Sequence, residues 1–155
     1  MIALILAALV QETVDNPEYK GWSSFKPGST VTYTLTRDGI LQEGVQKITL
    51  MSITEKEAAL ELEIIREDLP ASKPFERQVP AKLPKSLTEK VLSTGEEEIE
   101  VGGKTLACTW KELEKVLSNG KTVKAKVWIS AEIPGMAARI EGGGSVMNAS
   151  KWEKK

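Results

Sequence analysis

Residues 96–110 read EEEIEVGGKTLACTW, and this stretch decides the fold because it predicts a β-hairpin of defined register. A two-residue Gly-Gly loop favours a primed turn, whose twist matches that of the two strands beside it. Placing Gly102 and Gly103 in the turn predicts three cross-strand pairs: Val101 with Lys104, Ile99 with Leu106, and Glu97 with Cys108. The apolar residues of both strands then share one face: Ile99, Val101, Leu106, Cys108 and Trp110.

The same alternation of apolar and polar residues, typical of half-buried strands, recurs towards the N-terminus. It predicts strands over residues 29–36, 45–53 and 58–64. Between residues 70 and 84 the density of prolines predicts an edge strand or a loop around Phe75–Val79, because proline cannot donate to a central ladder. Before these strands, Asn16-Pro17-Glu18 predicts the start of a short helix, which ends by Lys26-Pro27-Gly28.

Towards the C-terminus, Asn119-Gly120 predicts a second hairpin. A two-residue turn there places Val116 opposite Val123 and Trp110 opposite Ile129. For residues 109–118 a helix is the alternative, because the spacing of the apolar side chains also fits a helical period. We favour the strand, since the alternation of the first hairpin continues directly into this segment.

Residues 127–142, VWISAEIPGMAARIEG, predict two strands joined by a wide corner. Pro134 and Gly135 occupy the positions that specify a type II turn, and such a turn does not suit a tight hairpin. On the first of these strands Trp128 projects from the polar face, beside Lys124 and Lys126. We expect it either to pack beneath the N-terminal helix or to be an exposed anchor for a partner.

These elements together predict one all-β, or β-rich α+β, domain over residues 12–155. The expected architecture is a strongly curved antiparallel meander sheet, or open half-barrel, of about eight strands with a short N-terminal helix. Residues 1–11 are mostly apolar but too short to span a bilayer, so they are interpreted as a signal peptide. A buried first strand is the alternative. The protein is therefore expected to be exported, to the periplasm or beyond the cell, with no transmembrane span.

The composition excludes several classes of function. Lysine plus arginine number 21 and aspartate plus glutamate 22, a balance that argues against nucleic-acid binding. Histidine is absent and Cys108 is the single cysteine, which removes His-based nucleophile pairs, His-ligated zinc and an internal disulfide. The acidic run at residues 96–100 leads into an exposed turn and is interpreted as a solvated strand end. No catalytic, metal or cofactor site is therefore predicted, and the protein is not expected to be an enzyme.

Three segments, NPEYKGWSSFKPGS (16–29), EEEIEVGGKTLACTW (96–110) and KVWISAEIPG (126–135), resemble a group of uncharacterised exported bacterial β-proteins. The last segment also resembles TapB-like proteins, although Met136 replaces the second glycine of their usual corner. The predicted sheet is similar to the half-barrels of the LolA/LolB lipoprotein carriers. This resemblance implies export and a strand over 109–118, and it implies no activity.

Three functions fit these features. The first is a binding or carrier module with an apolar sheet face for a lipid-like ligand or hydrophobic peptide, formed by Leu62, Leu106, Trp110 and Val127. The second is a structural or protein-interaction component of the bacterial envelope with a filled core, whose partner surface would include Trp128 and Met136. The third, an enzyme, would require converging buried acids.

Overall fold

A computed structural model of the chain describes residues 12–70, 72–87, 89–117 and 119–155. The predicted signal peptide, residues 1–11, lies outside the described residues. Within them, no helix combines the length and the apolar composition that crossing a bilayer requires.

Eleven strands, one α-helix and one 3₁₀ turn follow one another along the described chain. The N-terminal elements are β1 (Thr13–Asp15), α1 (Pro17–Ser23), β2 (Thr30–Arg37), β3 (Ile40–Ile53), β4 (Glu57–Ile65) and β5 (Phe75–Pro80). After β6 (Lys82–Pro84) and the 3₁₀ turn (Lys85–Leu87) come β7 (Lys90–Val101), β8 (Lys104–Val116), β9 (Thr122–Ile129), β10 (Ala137–Gly142) and β11 (Ser145–Glu153).

Nine strands form one antiparallel sheet in the order β5-β4-β3-β2-β11-β10-β9-β8-β7. Strands β2–β5 form one meander and β7–β11 another, and the pairing of β2 with β11 joins them. Strands β1 and β6 make a separate two-stranded ribbon. The sheet is curved and does not close, so the predicted all-β class with an open sheet and one short helix is confirmed.

Helix α1 begins as its sequence predicts. The Asn16 side chain accepts a hydrogen bond from the Glu18 amide (3.0 Å), and Pro17 occupies the first turn. Trp22 and Phe25 are buried, and the ring of Trp22 lies directly against Gly135 of the 130–136 corner. The helix and the corner therefore pack together at one end of the sheet.

The core joins the helix, the corner and both meanders into one cluster. Its fully buried side chains include Val31, Leu50, Leu60, Val79 and Ile133. Tyr33 is also buried, and its hydroxyl donates to the Ala137 carbonyl (2.7 Å), which ties β2 to β10. Burial raises the pKa of Tyr33, so the phenol stays neutral.

The first hairpin has the predicted register. Strands β7 and β8 pair Val101 with Lys104, Ile99 with Leu106 and Glu97 with Cys108. Residues 109–116 are strand, so the helical alternative for this segment is wrong. The 130–136 corner also forms as predicted: the Met136 amide donates to the Ile133 carbonyl (2.7 Å) across Pro134-Gly135.

The predicted register of the second hairpin is wrong by one residue. Trp110 pairs with Trp128 rather than with Ile129, and Val116 pairs with Thr122 rather than with Val123. The Leu117 amide donates to the Lys121 carbonyl (2.8 Å), which leaves three residues in the loop instead of two. Gly120 has a positive φ of 81°, as the last position of such a loop requires.

Candidate functional site

The one-residue shift moves Trp128 to the opposite face of the sheet, because neighbouring side chains of a strand alternate between faces. Trp128 is 4% exposed and shares a face with its cross-strand partner Trp110. The prediction of an exposed anchor is therefore wrong. Trp128 does lie beside Lys126, as predicted, and it belongs to the same buried core cluster as Trp22 of the helix. It cannot be part of a partner surface at this exposure.

Trp128 lies instead at the centre of a tryptophan cluster formed by Glu97, Trp110, Lys126, Trp128 and Arg139. The Lys126 Nζ lies 4.3 Å from the ring centre of Trp110 and 4.7 Å from that of Trp128. The Arg139 guanidinium carbon is 5.4 Å from the Trp128 ring centre. Each of these cation–π contacts contributes about 0.5–2 kcal/mol. The cluster therefore stabilises the association of three neighbouring strands, β8, β9 and β10.

Hydrogen bonds complete the tryptophan cluster. The Trp128 Nε1 donates to the Glu97 Oε2 (2.8 Å), and the Arg139 Nε donates to the Asn148 Oδ1 (2.7 Å). The Trp128 and Arg139 donors thus have partners, one inside the cluster and one on β11, and no buried side-chain nitrogen or oxygen lacks a partner anywhere in the described chain. The cluster is accordingly a structural device that fixes the register of β8, β9 and β10.

Cys108 lies beside this cluster on the buried side of β8. It is 4% exposed, and burial raises the pKa of its thiol, with Glu97 acting in the same direction and Arg139 against it. A raised thiol pKa disfavours the thiolate that nucleophilic or metal chemistry needs. Among the described residues, no group of three or more acidic, cysteine or histidine side chains is arranged to hold a metal ion.

Of the four residues predicted to form one apolar ligand face, three lie in the core cluster or against it, and Val127 does not. Leu62 and Leu106 are buried in the core. Val127 neighbours Trp128 along β9, so it lies on the face opposite to Trp110. Met136, the other predicted surface residue, is half-buried and packs against the core beside the corner.

Val127 belongs to a different feature, an apolar row that crosses four adjacent strands. Cross-strand pairing aligns Val127 of β9 with Ile140 of β10, Met147 of β11 and Leu35 of β2. All four side chains are only half-buried, and Met147 also packs against the core cluster. The apolar row is continuous because partners opposite one another in antiparallel strands point to the same face.

Exposed apolar side chains are concentrated at the end of the sheet that carries the Asn119-Gly120 loop. Four of these side chains are each at least 39% exposed: Val91 near the start of β7, Val116 at the end of β8, Leu117 directly after it, and Val123 at the start of β9. Ile40 and Leu41 are exposed by about two-thirds at the corresponding end of β3. This end of the sheet, opposite the helix and the corner, is therefore unusually apolar for a solvent-facing surface.

Two open depressions lie on the sheet, and both have charged linings. One, of about 480 Å³, is lined by Glu96, Glu97, Glu98, Ala107, Cys108 and Thr109. The other, of about 530 Å³, includes Glu112, Lys124, Lys126 and Glu141 in its lining. Neither is an enclosed apolar cavity of the kind that holds a lipid chain.

The sequence contained a signal for the tryptophan cluster that the prediction did not use. The observed register places Glu112 opposite Lys126 and Glu114 opposite Lys124. Opposite charges facing one another across strands stabilise a register, whereas the shifted register would set Lys115 against Lys124. Charge pairing could therefore have found the correct alignment and, with it, the contact between Trp110 and Trp128.

The described residues thus form an open, curved antiparallel sheet with one covering helix. No family model matches the chain, and no curated protein is significantly similar to it in sequence. Solved structures do share the fold. A protein described as exported, with a YmcC-like fold, from Bacteroides fragilis superposes with a TM-score of 0.57 at 9% identity.

That likeness covers 84% of this chain and 97% of the Bacteroides fragilis protein. MucB, solved in complex with MucA(peri), has a TM-score of 0.51 at 9% identity, over 88% of this chain and 54% of MucB. This chain thus spans about half the length of MucB. At such identities the likeness shows the fold alone, and the motif resemblances with TapB-like and other exported proteins stay predictions.

Proposed function

We propose that the protein is an exported, non-enzymatic interaction module of the bacterial envelope that binds a partner protein through the apolar row. The main support is that four half-buried apolar side chains align on one face of four adjacent strands: Val127, Ile140, Met147 and Leu35. Such a face gains free energy, about 25 cal/mol per Å² of apolar surface, when a partner covers it.

A protein partner is favoured over a lipid for two reasons. Both described depressions are open and have charged residues in their linings, whereas a lipid carrier encloses its ligand in apolar walls. In addition, the MucB structure that shares this fold was solved with MucA(peri) bound. Export is supported by the apolar start of the sequence and by the exported Bacteroides fragilis protein of the same fold.

Site-specific photo-crosslinking in the native host tests this proposal. A benzophenone amino acid is introduced at Val127 or, as a matched control on the opposite face of the same strand, at Lys124. We expect a discrete protein adduct from position 127 and none from position 124, recovered with the envelope fraction. Mass spectrometry then identifies the partner.

The rival lipid carrier is tested on the purified, delipidated protein. A brominated fatty acid should give no saturable quenching of tryptophan fluorescence if the apolar row binds protein. Saturable quenching, together with lipid rather than protein adducts at position 127, would overturn the proposal in favour of a carrier.

A further inference from the structure

The two edges of the nine-stranded sheet are protected very differently. Edge strand β5 is six residues long, follows Pro74 and ends at Pro80. Arg77 of this strand pairs with Glu18 of α1, and the Asn16 side chain donates to the Pro80 carbonyl (2.7 Å). Prolines and a covering helix are devices by which natural sheets block the addition of another strand.

Edge strand β7 has neither of these protections. It runs for 12 residues, Lys90–Val101, without a proline, and in the described chain it pairs with β8 alone. A register shift between Val91 and Ser93 interrupts its first part, whereas residues 94–101 pair with β8 without interruption. Apart from its end next to Gly102, where the hairpin tip lies against β11, this regular stretch has no paired strand on its outer side in the described chain.

The side chains of this stretch define what kind of strand would fit. Glu96, Glu98 and Glu100 are exposed and alternate along β7, so they line one face. Their partners on β8 are uncharged: Thr109, Ala107 and Thr105, respectively. In the described residues no lysine or arginine forms an ion pair with any of the three. We call Glu96, Glu98 and Glu100 the acidic edge.

The depression of about 480 Å³ lies along this same stretch and includes Glu96, Glu98, Ala107 and Thr109 in its lining. It can receive the aliphatic stem of a lysine or arginine while the charged head meets the carboxylates. Like charges in a row repel one another, and a basic neighbouring strand would replace that repulsion with attraction.

We propose that residues 94–101 of β7 accept an extended, basic segment of the partner protein as a tenth strand of the sheet. Lysine or arginine at alternate positions of that segment lies opposite the acidic edge, and backbone hydrogen bonds to β7 supply the remaining affinity. This inference rests on the proposed binding of a protein partner and adds to it the place and the charge of the bound segment.

The test uses the full chain and a ten-residue synthetic peptide of alternating lysine and threonine, capped at both ends and carrying a fluorophore. Fluorescence anisotropy at low salt should give saturable binding, and hydrogen exchange should slow at residues 94–101. The same peptide with alternate backbone nitrogens methylated cannot complete the ladder, and it should bind at least about tenfold more weakly.

Substitutions then test the acidic edge. The triple variant Glu96→Gln, Glu98→Gln, Glu100→Gln should weaken binding about tenfold at low salt, and less in high salt. A control with the same change in net charge elsewhere, Glu55→Gln, Glu57→Gln, Glu67→Gln, should bind as the original protein does. Equal binding to both triple variants, or equal binding of the methylated peptide, would overturn the inference.

Two further outcomes separate this inference from the proposed function. Protein adducts at position 127 without peptide binding at β7 would support the proposed binding of a partner protein. They would at the same time contradict the proposed site on the β7 edge. Self-association of the chain through β7, detected by sedimentation together with slowed hydrogen exchange at residues 94–101 in the absence of peptide, would also overturn the inference, because a second copy would then occupy the edge.

Discussion

The hairpins β7–β8 and β8–β9 share strand β8 but turn in different ways. The first turns through two glycines, and its tip folds against β11, where Lys104 Nζ lies 5.3 Å from the ring centre of Trp152. The second turns through three residues around Asn119-Gly120, with the Asn119 side chain accepting from the Lys121 amide (2.9 Å). Turn chemistry therefore defines the register of the first hairpin, whereas two loop lengths are open to the second.

The second hairpin takes its register from contacts along the strands. With the three-residue loop, Trp128 lies opposite Trp110, and Glu112 and Glu114 lie opposite Lys126 and Lys124. A two-residue loop would allow none of these three pairs. A difference of one residue in the loop thus exchanges the two faces of β9. A turn motif therefore determines the register of a hairpin only when it is compatible with a single loop length.

The largest expected effect comes from removing the ring that the observed register buries. Trp128→Ala should lower the free energy of unfolding by about 3–5 kcal/mol, because it leaves a cavity beside Trp110. Val123→Ala, at a 41% exposed position of β9, should change it by less than about 0.5 kcal/mol. Urea unfolding followed by circular dichroism measures both, and a loss below about 1 kcal/mol for Trp128→Ala would contradict the register.

The next effect tests the turn of the first hairpin. A side chain at Gly102 would lie 2.8 Å from the Ser150 carbonyl oxygen and from the Trp152 ring, and the residue has a φ of 57°. Gly102→Ala should therefore cost about 2–4 kcal/mol, from backbone strain and overpacking.

Gly103→Ala is the matched control for that variant. Gly103 has a φ of 73° but open space around it, so only the backbone strain applies, about 1–2 kcal/mol. The same urea experiment compares the two variants. Equal losses at positions 102 and 103 would mean that the tip does not pack on β11.

The smallest effect concerns the charge pairs of the second hairpin. Glu114→Lys and Lys124→Glu should each destabilise slightly. The double variant should recover part of the loss, with a coupling of about 0.2–1 kcal/mol, because position 114 still faces Lys90 of β7 on its other side. The coupling should shrink in 1 M salt. Additive losses in the two single variants would place residues 114 and 124 on different rows and argue for the shifted register.

Local signals in the sequence were sufficient for several elements. The capped helix, the first hairpin with its pairs, the strand over residues 109–116 and the Pro134-Gly135 corner all formed as predicted. Each of them depends on hydrogen bonds and alternation within a few residues, which the sequence displays directly. The candidate surfaces were harder to predict: Val127 proved to belong to the apolar row, and Trp128 to a buried cluster.

The sequence by itself thus determined the helix cap, the Gly102-Gly103 turn and the strand character of the segments predicted above, because these depend on neighbouring residues, but it did not reveal β1 and β6. Only the tertiary structure decided the pairing of β2 with β11, the face to which β9 turns Trp128, and which sheet edge is left open. Those features depend on side chains far apart in the chain. The alternation of apolar and polar residues is the same whichever register a strand takes and whichever strand it pairs with. The packing of distant side chains therefore selects the register and the pairing.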